Sequence, residues 1–317
     1  MMHGAAVVIA LGVAGAVSCV AAPVARWLAV RHGSVDVPQG RKAHGRPTPT
    51  SGGVAIIAGF LVAVLATGTP QYLKPGALLA IISGALIVAV VGLVDDRIDI
   101  PAKIKLVLQI VAAVPLLVGG ITISFVSNPF HHGLIALPQW LSWMVTVVWV
   151  VAVTNAINLI DGLDGLAAGV SAVACIALAV VALNWNQPAV ALLCAALAGG
   201  ALGYLPYNWH PASIMMGDTG AYFLGYVIAA ITILGAFKSA AAIAIFVPIL
   251  VLAVPLFDTM LSPVRRYLHG RPAFQADRDH LHHRLLAMGL SEPRVVVLTY
   301  IVTALCGAIA IWISRKG

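Results

Sequence analysis

The chain has 317 residues, of which 61% are hydrophobic and only 9% are charged, and its mean hydropathy is +1.00. A soluble domain would carry about 25% charged residues, so the composition excludes a soluble globular protein and predicts one embedded in a membrane. The net charge of +7 then suits a membrane surface, and we expect no nucleic-acid partner.

Ten apolar segments follow one another along the chain, each about as long as a helix needs to cross roughly 30 Å of hydrocarbon. The segments are continuously apolar, whereas the strands of a membrane β-barrel would alternate. We therefore expect an all-α polytopic integral membrane protein, with residues 1–317 forming a single transmembrane domain. The segments cover residues 4–25, 52–70, 77–94, 104–124, 140–157, 165–184, 188–205, 219–236, 239–257 and 295–313.

The charged residues are distributed on one side of this layout. All 11 acidic residues, and most of the 18 Lys and Arg residues, fall in gaps that follow odd-numbered segments. The positive-inside rule places these gaps in the cytoplasm and both termini outside, as in a multi-pass protein of the cell's inner (plasma) membrane. The expected cytoplasmic loops cover about residues 26–51, 95–103, 158–164, 206–218 and 258–294, and they predict one polar site at the inner surface.

The first two inner loops carry charges that have both a simple and a functional explanation. Residues 40–53 form a basic loop rich in Gly and Pro, which either holds an anion or only follows the positive-inside rule. Asp95 and Asp96 end the third segment, close to Lys103 and Lys105. Adjacent carboxylates at a membrane helix end need a cation, so the sequence indicates either a salt-bridge cluster or a divalent-metal site.

The third inner loop carries amide and acid side chains at a spacing of three residues, namely Asn155, Asn158, Asp161 and Asp164. Neighbouring members of this series share a helix face, but an unbroken helix would turn the last away from the first. Gly162 and Gly165 can break the helix and let these polar groups converge. So many polar groups at the end of a membrane span indicate a functional site.

The remaining inner loops add an aspartate and a basic, histidine-rich stretch. Asp218 immediately precedes the eighth segment, where it is either a helix N-cap or part of a shared metal site. In the last loop, His280 and His283 either bind zinc or, together with Arg278 and His282, donate hydrogen bonds to phosphate oxygens. The basic character of this loop favours phosphate.

Taken together, these side chains predict metal-dependent phosphoryl transfer. The aspartates could meet at one surface, where Mg²⁺ would use one or two carboxylates and complete its shell with water and substrate phosphates. We expect Mg²⁺ as the cofactor, with Mn²⁺ as a substitute. Nearby Arg and His residues would then neutralise the charge of a diphosphate substrate.

Taken in order, the loops resemble the polyprenyl-phosphate N-acetylhexosamine-1-phosphate transferase family. The resemblance covers about residues 40–290 and rests on Gly92–Asp99 with Lys103 and Lys105, on Asn155–Leu166, and on Gly217–Gly220. It implies a cytosolic UDP-sugar donor and a polyprenyl phosphate acceptor in the membrane. The acceptor phosphate would attack the β-phosphorus and release UMP.

The same resemblance implies roles for individual residues. The catalytic group would comprise Asp95, Asp96 and Asp161. The nucleotide and sugar would contact Asn155, Asn158, Asp164 and Asn208. The phosphates would contact Lys103, Lys105, Arg278, His280, His282 and His283. Magnesium would bind Asp218 and Asp161.

The stretch Asp277–His283 decides between two branches of the family. Its spaced histidines resemble the UDP-N-acetylglucosamine enzymes that prime O-antigen, enterobacterial common antigen or wall teichoic acid. We therefore expect transfer of N-acetylglucosamine 1-phosphate to undecaprenyl phosphate. The alternatives are the phospho-N-acetylmuramoyl-pentapeptide transferase of peptidoglycan synthesis and, more remotely, a cation-coupled transporter, whose carboxylates would lie near mid-span. The sequence leaves open whether the protein forms a homodimer.

Overall fold

A computed structural model of the protein describes residues 2–36, 47–127, 134–236, 249–257 and 281–315. The helices are α1 (Met2–Arg31), α2 (Gly53–Ala66), α3 (Ala77–Ile98), α4 (Ala102–Val118), α5 (Gln139–Ile160), α6 (Leu166–Asn184), α7 (Pro188–Asn208), α8 (Gly217–Ala236), α9 (Leu281–Ala287) and α10 (Glu292–Ser314). A 3₁₀ helix covers Thr69–Tyr72. Two short antiparallel pairs join β1 (Val35–Asp36) to β2 (Thr48–Pro49) and β3 (Phe125–Ser127) to β4 (Leu134–Ala136).

Within the described residues, 7 helices are long and apolar enough to cross a membrane, namely α1, α3, α5, α6, α7, α8 and α10. The expected polytopic helical membrane protein is thereby confirmed. The number of ten crossings, the position of the termini and the single domain stay predictions. The segment expected at 239–257 lies largely outside the described residues.

Two predicted segments form shorter helices than expected because turn residues end them early. Helix α2 has 14 residues and stops where the Thr67 hydroxyl donates to the Ala63 carbonyl and Gly68 adopts a positive φ of 64°. Helix α4 has 17 residues and ends at Val118, before two glycines, of which Gly120 has a φ of 70°. A hydropathy pattern does not register such turns, which depend on single glycines.

Helices α7 and α8 lie at the centre of the helix packing. Helices α1, α2 and α6 pack against α7, α3 and α5 pack against α8, and α10 packs on the far side of α6. Close approach depends on glycine, since a Cβ on Gly203 of α7 would lie 2.1 Å from the carbonyl oxygen of Gly15 in α1. Such contacts between small residues are typical of helices packed in lipid.

Alternating helix directions bring the α3–α4, α5–α6 and α7–α8 loops to the same end of the helices. The first residues of α2 and α10 lie there as well, since Gly53 adjoins Gly220 of α8 and Tyr300 contacts Gly165. These connections carry the polar side chains of the site.

Candidate active site

The last turn of α3 docks onto the first turn of α8 through Asp96. One carboxylate oxygen of Asp96 accepts a hydrogen bond from the Asp218 backbone N–H at 2.7 Å. The other accepts from the Thr219 hydroxyl at 2.8 Å and from its N–H at 3.4 Å, as well as from the Ser51 hydroxyl at 3.2 Å. The first N–H groups of a helix have no partner within it, so Asp96 caps α8 from another helix.

Glycines make this docking sterically feasible. Gly217 has a φ of 70°, and a Cβ there would lie 2.5 Å from an Asp96 carboxylate oxygen. A Cβ on Gly92 of α3 would lie 2.5 Å from the backbone of Asp218 and Thr219. The Gly-Asp sequence at residues 217–218 is therefore required by geometry, because the glycine leaves room for the cap.

Asp95, next to Asp96, points to a different set of partners. Its side chain is buried, and one oxygen accepts from the Ile100 N–H at 2.8 Å. The other oxygen accepts from the Tyr222 hydroxyl at 3.2 Å and pairs with the Lys105 ammonium at 2.6 Å. Both oxygens of Asp95 are thus occupied by hydrogen-bond donors.

Lys105 joins the two aspartates that the sequence placed in different loops. Its ammonium lies 3.7 Å from a carboxylate oxygen of Asp218 as well as 2.6 Å from Asp95, and 3.9 Å from the exposed Asp99. Lys103 lies two residues earlier in α4 and is exposed. Among the described residues, it is not a member of this ion-pair network. Of the two predicted phosphate-binding lysines, Lys105 faces the carboxylates.

Asp218 is more exposed to solvent than Asp95, the aspartate that lies closest to Lys105. One of its oxygens accepts from the Asn158 side-chain amide at 2.7 Å, and its side chain is 30% exposed. Asp161 follows the end of α5. Desolvation and the negative charges of Asp218, Asp96 and Asp164 raise the pKa of Asp161 well above its ordinary value. Carboxylates that repel one another in this way fit the binding of a cation.

Asn155 does not join Asn158 at Asp218. Its side-chain amide pairs twice with that of Gln109 in α4, at 2.6 and 3.3 Å, and also donates to the Val151 carbonyl at 2.8 Å. Gln109 is buried. This amide pair holds α4 against α5. The Asn155 side chain, which the sequence assigned to the nucleotide and sugar, is therefore engaged in a contact between helices.

Asp164 and Asn208 lie in a second polar group, where the α5–α6 loop meets the α7–α8 loop. Asp164 is buried and accepts from the Ala212 N–H at 3.0 Å, and the same oxygen lies 3.1 Å from the His210 ring nitrogen Nδ1. Asn208 accepts from the Gly165 N–H at 3.1 Å and donates to the Ile214 carbonyl at 3.2 Å. The break in the helix that the glycines predicted is present, since α5 ends at Ile160 and Gly165 has a φ of 78°.

Helix α10 reaches this second group from the C-terminal part of the chain. The Nδ1 atom of His210 also lies 3.1 Å from a Glu292 carboxylate oxygen, and the Tyr300 hydroxyl donates to the Gly165 carbonyl at 2.5 Å. The ligand atoms of Asp164, His210 and Glu292 lie within 4.8 Å of one another, which is close enough to share a metal ion. The predicted magnesium ligands Asp218 and Asp161 are not members of that group.

Asp218 and Asp161 fit a hard divalent cation on separate grounds. Asp218 is partly open to solvent, and Asp161 carries a raised pKa among like charges, so a cation would relieve the repulsion. Magnesium favours one or two carboxylates and leaves its other positions to water and phosphates. The trio around His210 is also explained by hydrogen bonding, because its distances of 3.1 Å are those of N–H···O contacts.

The side chains of four predicted phosphate-binding residues are not described by the structure. Arg278 and His280 lie outside the described residues. His282 and His283 lie in α9, where the structure describes their backbone.

Several site residues were not identified from the sequence. Tyr222 stands four residues after Asp218, a spacing that places both on one helix face and could have indicated it. Gln109 bears the same relation to Lys105. Ser51 gave no local signal, and His210 and Glu292 meet only through the fold.

The helices and the site define a class of protein before any comparison. This is a polytopic helical membrane protein with carboxylates, amides and a lysine gathered at one end of its spans, as phosphorylated ligands and a divalent cation require.

Comparison with known proteins identifies the family. Residues 78–236 match the sequence pattern of the family described as glycosyl transferase family 4. The chain is 39% identical over 280 residues to a probable undecaprenyl-phosphate N-acetylglucosaminyl 1-phosphate transferase of Bacillus subtilis, covering 88% of this chain and 77% of the relative. It is 36% identical over 304 residues to decaprenyl-phosphate N-acetylglucosaminephosphotransferase of Mycobacterium tuberculosis (87% and 74%), and 34% identical over 285 residues to phospho-N-acetylmuramoyl-pentapeptide-transferase of Alkaliphilus oremlandii (81% of each). The chain therefore belongs to glycosyl transferase family 4.

Proposed function

We propose that this enzyme transfers N-acetylglucosamine 1-phosphate from UDP-N-acetylglucosamine to undecaprenyl phosphate and releases UMP. The observation that carries the proposal is the meeting of Asp95, Lys105 and Asp218 at one end of the membrane helices. A cytosolic nucleotide and a lipid phosphate at the membrane surface can both reach such a place. Relatives that are named for this reaction match most of the chain.

The reaction needs charge neutralisation and alignment more than covalent help from the protein. An oxygen of the acceptor phosphate forms a bond to the β-phosphorus of the donor. The bond from that phosphorus to the bridging oxygen breaks, and UMP leaves with the bridging oxygen. A bound Mg²⁺, or Mn²⁺ in its place, would be held by Asp218 and Asp161 and would neutralise charge on the diphosphate.

Asp95 serves this reaction better as a positioning group than as a general base. Its oxygens already accept from Ile100, Tyr222 and Lys105. A phosphate monoester has a second pKa near 6, so most of the acceptor is a dianion at neutral pH without any base. Asp95 then holds Lys105, whose ammonium attracts the acceptor phosphate.

The other site residues divide between ligand contact and architecture. Asp96 holds Asp218 in place through the N-terminus of α8, and Asn158 orients the Asp218 side chain. Asp164 and Asn208 fix the loop walls on the donor side, while Asn155 braces α4 against α5. Arg278, His280, His282 and His283, with Lys103, stay proposed contacts to phosphates.

The donor sugar and the location are further parts of this proposal. The spaced histidines of the last inner loop favour UDP-N-acetylglucosamine over the muramoyl-pentapeptide donor, although a relative named for the latter matches at 34% identity. Carboxylates at one end of the spans disfavour a transporter, whose sites lie near mid-span. We place the enzyme in the inner (plasma) membrane, with its site in the cytoplasm, at the first membrane step of a cell-envelope glycopolymer.

Purified protein provides the direct test. Incubation with UDP-N-acetylglucosamine, undecaprenyl phosphate and Mg²⁺ is expected to release UMP, and addition of EDTA is expected to stop the release. The muramoyl-pentapeptide donor is expected to give none. Turnover with that donor alone would move the enzyme to the other branch, and transport of a solute without UMP release would contradict a transferase.

The role of Asp218 gives a sharper prediction at the level of one residue. We expect Asp218→Asn to lose nearly all turnover, because the amide cannot neutralise a divalent cation. Asp99→Asn is the matched control, since Asp99 lies at the edge of the same network with a fully exposed side chain. UMP release is measured over a range of Mg²⁺ concentrations. Near-normal activity of Asp218→Asn would remove Asp218 from the metal site.

A further inference from the structure

Tyr222 contacts the ion-pair network from inside the membrane helices. It is 1% exposed, and its hydroxyl donates to the same Asp95 oxygen that pairs with Lys105. It stands one helical turn after Asp218 in α8, so the two side chains leave the same face of that helix. Contacts therefore run from Tyr222 to Asp95, from Asp95 to Lys105 and from Lys105 to Asp218, and they link α3, α4 and α8.

We propose that Tyr222 is a positioning residue, which fixes Asp95 so that the Lys105 ammonium stands beside Asp218 where the acceptor phosphate binds. This proposal rests on the proposed function, which puts the acceptor phosphate at Lys105. Asp95 is anchored on one oxygen by the Ile100 N–H, and Tyr222 is the neutral donor that orients the other. Lys105 has a long flexible side chain, and its position follows that of the oxygen it pairs with.

The alternative is that Tyr222 only fills space in the helix packing. Phenylalanine would fill that space equally well, because it differs from tyrosine by the hydroxyl group alone. The hydroxyl is also the only part of the side chain that can act on Asp95. A Tyr222→Phe variant therefore separates the two roles.

The same helix supplies a matched control one turn further on. Tyr226 is also fully buried, but its hydroxyl has no hydrogen-bond partner among the described residues. Removal of that hydroxyl leaves no acceptor unsatisfied, so Tyr226→Phe is expected to fold and work as well as the unchanged protein.

The first experiment compares steady-state kinetics for each substrate in turn. Tyr222→Phe is expected to lower kcat/KM for undecaprenyl phosphate by roughly 10- to 100-fold, the range expected for a buried hydrogen bond to a charged group. The KM for UDP-N-acetylglucosamine is expected to stay within about twofold, as is every parameter of Tyr226→Phe. Equal losses in the two tyrosine variants, or a loss confined to the donor, would overturn the proposal.

The second experiment tests whether Tyr222 acts through Lys105. Residual activity of the double variant Tyr222→Phe, Lys105→Gln is expected to equal that of Lys105→Gln alone, because the orienting group has nothing left to orient. Additive losses would contradict a shared role.

Direct binding keeps this inference separate from the proposed function. Binding of undecaprenyl phosphate in detergent is expected to weaken in Tyr222→Phe and to stay unchanged in Tyr226→Phe, whether or not UMP is released. If the unchanged protein bound the lipid but released no UMP, the proposed function would fail while the binding comparison still decided the role of Tyr222. Equal lipid affinity in both variants would refute that role.

Discussion

Two neighbouring aspartates of α3 have separate roles, although the sequence presents them as one acidic pair. Asp95 and Asp96 leave the helix about 100° apart, as consecutive residues must. Asp95 therefore meets Lys105 and Tyr222, while Asp96 reaches the N-terminus of α8. Loss of either carboxylate is expected to lower activity for a different reason, because Asp95 pairs with the Lys105 charge and Asp96 accepts hydrogen bonds from the helix end that carries Asp218.

The raised pKa of Asp161 predicts how stability depends on pH without metal. A raised pKa means that the folded protein binds the proton more tightly, so stability falls as pH rises from the ordinary value of 3.8 through the raised one. Added Mg²⁺ is expected to restore stability at the upper end of that window. Thermal unfolding in detergent measures both effects, and Asp161→Asn is expected to reduce both. An unchanged pH dependence in that variant would show that Asp161 is not the group responsible.

The sequence predicted many of the polar residues that meet at this end of the helices, and it offered the pairing of Asp95 with a nearby lysine, but it did not predict most of the other contacts. Asp95, Lys105, Asn158 and Asp218 were recognised by residue type and by their position at helix ends, where polar groups in a membrane protein need an explanation. The pairing of Asn155 with Gln109 could not be recognised from the sequence, because it depends on how α4 is rotated against α5. Partners across helices follow from packing, and no local pattern encodes them.

At the level of secondary-structure elements, the N-terminus of α8 organises the site. Its free N–H groups are capped by Asp96 rather than by a residue of its own loop. The preceding segment is fixed as well, since the Met215 N–H donates to the Pro49 carbonyl and the Gly52 N–H donates to that of Met215, at 2.8 and 2.9 Å. The first inner loop, α3 and α8 thus share one network.

Gly217 allows a test of that cap. Gly217→Ala is expected to cost several-fold more activity than Gly76→Ala and to lower the thermal midpoint further. Both glycines have a positive φ, of 70° and 82°, so alanine strains the backbone at each by about 1–3 kcal/mol. A Cβ meets Asp96 only at Gly217, whereas the space around Gly76 is open. UMP release and thermal unfolding of both variants decide the point, and equal effects would mean that backbone strain, not the cap, is what matters.

The helices themselves were largely predictable from hydropathy, because a continuously apolar run crosses lipid as a helix, whereas the strands of a barrel alternate. The ends of the helices were less so. The segment expected at 104–124 stops at Val118, and that expected at 52–70 stops at Ala66. In each case one or two residues near a glycine end the helix, although the apolar sequence beyond that point would allow further helical turns.

At the level of the whole molecule, helix α10 contacts two of the loops at the polar end. Glu292 and Tyr300 of α10 reach His210 and Gly165, which belong to the α7–α8 and α5–α6 loops. The chain thus returns to the site after its last inner loop. Polar groups from distant parts of the sequence meet at one end, as the one-sided carboxylates predicted, while the flanks carry exposed apolar side chains such as Leu79 and Val118.

This arrangement predicts the accessibility of the two ends in a membrane. Single cysteines at Lys74 and Asp99 would mark opposite ends of α3, and both positions are exposed. Cys19, Cys175, Cys194 and Cys306 are first replaced, which the burial of Cys175 and Cys194 makes a necessary test of folding. A membrane-impermeant maleimide is expected to label Lys74→Cys in intact spheroplasts, and to label Asp99→Cys only in inside-out vesicles, because the positive-inside rule puts the basic loops in the cytoplasm. The opposite pattern would place the site outside, where no cytosolic nucleotide sugar could reach it.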